Sequence, residues 1–139
     1  MLLLDTNVLS AMMRVAPDPF VSALLARRPA ETVFTATLCQ AEILGGIAVL
    51  PPGRRRVALE AAASSMFAED FAGRLLPFDE AAAIAYAELL GARQRDGRPV
   101  ATMDLMIAAV ARSRGATIAT RNVADFTGYG ITIIDPWHS

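Results

Sequence analysis

Residues 2–10, LLLDTNVLS, set three consecutive leucines directly against an aspartate. A compact apolar run without alternation predicts a fully buried strand, Leu2–Leu4, of the kind found in the middle of a parallel sheet. Asp5 ends the run, and the triplet Asp5-Thr6-Asn7 is suited to capping a short helix through about Met13. In open α/β sheets, ligands bind beyond the carboxyl ends of the strands, so Asp5 stands where chemistry is expected.

The same alternation continues outward from this stretch. Asp18–Pro19 supplies an N-cap with proline in the first turn for a helix through Arg28, and Thr32–Thr35 reads as a second strand. Thr37 and Gln40 fit a capping box opening a helix that runs through Ala41–Leu50 and stops at Pro51–Pro52. Gly53–Phe71 is helical, Leu75–Phe78 is a third strand, and Asp79 caps an alanine-rich helix to about Arg95. After the Asp96–Gly97 turn, Met103–Ser113 is helical and Gly115 stops it. Thr117–Thr120 and Ile131–Ile134 complete five strands. Strands interleaved with helices predict a three-layer α/β fold with a mainly parallel sheet. With 139 residues and no linker or repeat, a single domain over 1–139 is expected.

Composition narrows the chemistry further. The chain is 54% hydrophobic and 19% charged, with a mean hydropathy of +0.39, which excludes disorder. Its longest charge-free stretch, Ile43–Gly53, has 11 residues, against about 20 for a membrane span. Asp5 within the first apolar run argues against a secretory signal, so a soluble, cytoplasmic protein is expected. All 13 basic residues are arginine, and without lysine there is no Walker A phosphate loop and no Schiff-base chemistry. His138 is the only histidine and Cys39 the only cysteine, which argues against Cys/His zinc sites and His-based nucleophilic machinery. Cys39 reads as a small buried side chain. A net charge of −1 and a pI near 5.8 lack the positive field that nucleic-acid binding by phosphate neutralisation requires.

Carboxylates remain, and three stand isolated in apolar sequence. Asp5 is the only charge in residues 1–13, Glu42 in 32–53 and Asp104 in 99–111. A buried carboxylate is costly unless it is paired, hydrogen-bonded or bound to metal. Taken singly, each has a plain alternative: a helix cap, a surface glutamate or an acid at a helix N-terminus. Taken together they point to an acidic cluster, with Asn122 and Asp125 following the fourth strand toward the same edge.

At these residues the chain resembles the PIN-domain ribonucleases, and among them the VapC-type toxins of bacterial toxin–antitoxin pairs. The likeness covers LLLDTNVLS, TATLCQAEILGG, TMDLMIAAVARSRGATIATRN and VADF in order, and the closing IIDPWHS with LLPFDE is similar to the FitB-like branch. The resemblance implies a PIN-like fold with strand order 3-2-1-4-5. It makes Asp5, Glu42 and Asp104 the acidic core of a site holding Mg²⁺ or, as a substitute, Mn²⁺. The family's fourth acidic position falls on Asn122, an amide here, which removes one negative charge. Asp125 lies three residues further on, and Thr6 matches a hydroxyl position beside the site.

The function so implied is hydrolysis of RNA phosphodiester bonds by metal-activated water, leaving 5′-phosphate and 3′-hydroxyl ends. The implied partners are RNA, a small DNA-binding antitoxin that covers the cleft, and a second copy of the chain in a homodimer. DNA would be reached only through the antitoxin. The bound cation would supply the positive charge that the composition lacks. Arg54–Arg56, Arg93, Arg95, Arg98, Arg112, Arg114 and Arg121 are either guides for RNA phosphates or solvated helix faces. Trp137 reads as a packing anchor, and Gly45–Gly46 as a place of close helix packing. Two rival readings are a non-catalytic PIN-like module, favoured by Asn122, and another Mg²⁺-dependent phosphoesterase. Against the latter stand Asn7, where an aspartyl-nucleophile site has a second acid, and the missing lysine.

Overall fold

In the computed structural model, which describes residues 1–99 and 101–138, β1 spans Leu2–Leu4. It is the middle strand of a five-stranded sheet ordered β3-β2-β1-β4-β5, with β2 at Val33–Ala36, β3 at Leu75–Leu76, β4 at Thr117–Ala119 and β5 at Ile133–Ile134. Every pairing is parallel, so the sheet is more uniform than the mainly parallel one expected. Parallel strands require long crossovers, which lay helices over the sheet and cover it. The three leucines of β1 are accordingly at most 1% exposed, and burial of each is worth about 1.5–3 kcal/mol.

The helices are α1 (Thr6–Met12), α2 (Pro19–Ala26), α3 (Thr37–Ala48), α4 (Arg54–Ser65), α5 (Glu80–Arg95), α6 (Thr102–Arg114) and α7 (Val123–Phe126). Two predicted caps are present. Asp18 Oδ1 accepts from the N–H groups of Phe20 and Val21, and Asp79 Oδ1 from that of Ala82. Gly115, at φ +63, ends α6 in the left-handed conformation that glycine adopts without a Cβ clash.

Three expectations change. The capping box at Thr37 and Gln40 does not form. Thr37 is already inside α3, the N-cap is Ala36, and the Thr37 hydroxyl donates instead to Leu76 O at 3.5 Å. The helix predicted through Phe71 gives way after Ser65 to one π-turn, Met66–Asp70, where Phe71 N–H reaches back to Met66 O at 3.0 Å. Gly45 and Gly46 do not mark close packing, since a Cβ at either would meet nothing within 4 Å. Both glycines are exposed on an outer face of α3.

Topology places the site. A helix that leads into a parallel strand begins at the sheet's carboxyl edge, so α6 presents its first turn there and its last turn at the opposite edge. No helix among the described residues is long and apolar enough to cross a membrane.

Candidate active site

Strand register brings the first acid to its partner. Leu4 pairs with Ala119, so the next residues along, Asp5 and Thr120, meet just past the strand ends. Thr120 Oγ1 donates to Asp5 Oδ2 at 2.7 Å, Asn7 Nδ2 donates to the same oxygen at 3.3 Å, and Thr6 N–H donates to Asp5 Oδ1 at 2.8 Å. Asp5 thus caps α1 and is also clamped to β4. It is 2% exposed. Burial raises its pKa above the ordinary 3.8; the hydrogen bonds pull the other way, and the Glu42 charge adds to the rise.

Glu42 comes from the second turn of α3, half-buried. Its Oε1 accepts the Thr6 hydroxyl at 2.5 Å, so the Thr6 side chain tethers Glu42 while its backbone holds Asp5. Asp104 lies in the first turn of α6, where the positive end of the helix dipole favours an anion. Even so, its pKa is pushed up to about 6, by burial first and then by the charges of Asp5, Asp125 and Glu42, with Arg93 opposing. Four carboxylates from four segments therefore repel one another at one sheet edge.

Asn122 and Asp125 stand differently toward the site. Asn122 is exposed, and its backbone N–H, not its amide side chain, joins the network by donating to Thr120 Oγ1 at 3.0 Å. Asp125, on α7, shares a small cavity with Asp104, Leu105, Ala101 and Arg93.

Among the described residues, no three Asp, Glu, His or Cys side chains are already gathered tightly enough to ligate one ion. Asp5 oxygens are occupied by Thr120, Thr6 and Asn7. The donor set still fits a hard divalent cation. It offers carboxylate oxygens only, and among the described residues none of Asp5, Glu42, Asp104 or Asp125 forms an ion pair.

The arginines divide by position. Arg93 is 7% exposed and is no RNA guide. Its Nε–H donates to Pro99 O at 2.8 Å and its Nη1 to Asp125 O at 3.2 Å and to the Tyr129 hydroxyl, so it braces the site from below. Arg98 holds Ala124 O and Thr127 O, while Arg56 pairs with Glu60. Arg112 pairs with Glu88 and Arg114 with Asp79, at the far end of α6; Arg114 is about 15 Å along the helix from Asp104. Arg14, which also pairs with Asp18 at 3.9 Å, and Arg55 line a cavity of about 390 Å³ with Thr6 and Glu42.

The Cys39 thiol is buried, and its pKa is pushed up to about 12 by that burial and by Asp5, which makes it inert. Trp137 is an anchor as expected: its indole N–H donates to Asp18 Oδ2 at 3.0 Å. Sequence reasoning passed over Thr120 and Arg14. The polar end of the apolar run TIAT was the available signal for Thr120. Arg14 had none.

A sequence profile of the PIN domain matches residues 2–127. The plasmid stability protein StbB of Pseudomonas syringae is 38% identical over 139 residues, all of both chains. The VapC ribonuclease Y4jK of Sinorhizobium fredii is 35% identical over 99% of this chain and 98% of its own. The toxin FitB of Neisseria gonorrhoeae is 36% identical over 99% of each chain. The crystal structure of FitAcB from the same organism superposes over the full length of both chains with a TM-score of 0.91 at 35% identity. With strand order, acidic edge and full-length likeness in agreement, the chain belongs to the PIN-domain family.

Proposed function

We propose that this protein is a divalent-cation-dependent ribonuclease that acts as the toxin of a toxin–antitoxin pair. One observation carries the reading: Asp5, Glu42 and Asp104, from three separate segments, meet at one edge of the sheet, where burial first and then the neighbouring acidic charges push the Asp104 pKa up to about 6. Structural carboxylates are seldom left so poorly compensated, whereas a site that takes up a cation needs that uncompensated charge. The relatives named ribonuclease and toxin supply the activity class.

Asp5 and Asp104, with Glu42 directly or through water, would hold Mg²⁺ or Mn²⁺, and Asp125 adds negative charge beside Asp104. Such a cation, when bound, activates water for in-line attack on phosphorus and offsets charge on the leaving oxygen. The chain's own part is positional. Thr120, Thr6 and Asn7 fix the Asp5 carboxylate, and the Thr6 hydroxyl fixes Glu42. Arg93 offsets part of the acidic repulsion from within. Arg14 and Arg55 give the adjoining cavity the positive lining that an RNA backbone requires. We extend the reading to a homodimer neutralised by a small DNA-binding antitoxin, as in the family it resembles.

The test is RNA cleavage by purified protein with Mg²⁺ or Mn²⁺ and with a chelator. Cleavage should require the cation and vanish in Asp5→Asn and Asp104→Asn while both variants stay folded. Saturable cation binding without cleavage of any RNA would instead favour the non-catalytic module, the reading that the amide at Asn122 supports.

A further inference from the structure

Arg121 and Trp137 leave the sheet from neighbouring strands, β4 and β5, and meet at its carboxyl edge. The Arg121 guanidinium carbon lies over the Trp137 ring, 3.8 Å from its centroid. The backbone N–H of Arg121 donates to Asn7 Oδ1 at 3.1 Å, and Asn7 in turn donates to Asp5. Arg121 follows Thr120, whose hydroxyl binds Asp5 directly. The cation is therefore tied at its backbone to the acidic edge and at its head to an aromatic face.

That face is itself fixed. The Trp137 indole donates to Asp18 Oδ2, and Trp137 N–H donates to Asp135 Oδ1 at 2.9 Å. Asp18 is held by its cap bonds to α2, so the indole cannot turn without giving up a hydrogen bond. A guanidinium stacks through its flat face and donates through its edge. A guanidinium seated over the Trp137 face keeps N–H donors free for another partner. Among the described residues the Arg121 guanidinium enters no ion pair and no hydrogen bond; the bond to Asn7 comes from the backbone N–H. An exposed arginine with no acidic partner, held still beside a cluster of acids, is arranged for an anion arriving from solvent.

We infer that Arg121, positioned by Trp137, is a phosphate-binding residue that grips the RNA backbone beside the site of cleavage. This rests on the ribonuclease reading above. It separates Arg121 from the chain's other arginines, most of which are committed to carbonyls or acids. It also gives Trp137, remote in sequence from every acid of the site, a role as a positioning residue.

The test uses a short single-stranded RNA labelled with fluorescein. Affinity is read by anisotropy in chelator, and steady-state cleavage is read with Mn²⁺. Arg121→Ala should weaken binding about tenfold, as expected for loss of a charge-assisted bidentate contact, with the loss falling on KM more than on kcat. The slope of log affinity against log salt should shrink by about 0.7, one phosphate contact fewer on a single strand. Trp137→Leu should weaken binding in the same direction, and should add nothing in the Arg121→Ala background. Trp137→Phe keeps a ring face but loses the bond to Asp18, and should recover most of the affinity. A merely structural Trp137 would make the Phe and Leu variants equally poor and their penalties independent of Arg121. RNA cleavage by the wild type with unchanged affinity and salt slope in Arg121→Ala overturns this inference alone. Failure of the wild type to cleave RNA under any divalent cation overturns the proposed function and this inference with it.

Discussion

The Thr120 hydroxyl donates to Asp5 at 2.7 Å while its oxygen accepts the N–H of Asn122 at 3.0 Å, so one buried side chain joins β1 to the loop after β4. Thr120→Val keeps the shape and removes both bonds. It should destabilise the fold by about 1–3 kcal/mol in urea unfolding, the usual cost of stranding a buried polar partner. The loss should be larger at pH 8 than at pH 5, because the stranded group is a carboxylate. A variant as stable as the wild type at both pH values would remove Thr120 from the site's framework.

Thr6 joins Asp5 and Glu42 through different atoms, its N–H and its hydroxyl. Thr6→Ser keeps both and should stay active. Thr6→Val keeps only the first, and its kcat for RNA cleavage should fall about tenfold, consistent with losing a hydrogen bond to a charged group. Full activity in Thr6→Val would show that Glu42 needs no tether.

Asp104 gives the metal-free protein a pH signature. Its folded pKa of about 6 lies above the ordinary 3.8, so the folded state binds a proton the unfolded state has released. The stability this contributes is complete below about pH 4 and disappears as pH climbs through about 6. In chelator, the melting temperature of Asp104→Asn should exceed that of the wild type at pH 7.5, and the gap should narrow toward pH 4. A constant gap across that range would contradict the burial and acidic surroundings described for Asp104.

Asp125 faces Asp104, whereas the Asn122 side chain takes no part in the network. Asp125→Asn should therefore weaken Mn²⁺ binding more than Asn122→Ala, measured by calorimetry. The reverse order would restore Asn122 as the fourth member of the site.

Much of this arrangement was legible in residue order, for reasons particular elements make plain. Three leucines against Asp5 suit a buried strand ended by an acid, since a strand covered on both faces hides all three side chains. Asp18, Asp79 and Gly115 marked helix ends through hydrogen bonds and backbone angles that are local in sequence. The capping box at Thr37 failed because tertiary packing started α3 earlier and offered the Thr37 hydroxyl the carbonyl of Leu76. The Asp5–Thr120 clamp and the Arg121–Trp137 stack depend on strand register and on long-range approach, which spacing alone does not encode. The isolation of Asp5, Glu42 and Asp104 pointed to one acidic cluster, and the fold supplies the hydrogen bonds that hold Asp5 and Glu42 in it.

Titration of Mn²⁺ into wild type, Asp5→Asn and Asp104→Asn by calorimetry tests most directly that this edge is a cation-holding site. The wild type should bind saturably, and each substitution should weaken binding by at least about tenfold, as loss of one charged oxygen ligand implies. Equal binding in all three proteins, or none in the wild type, would contradict it.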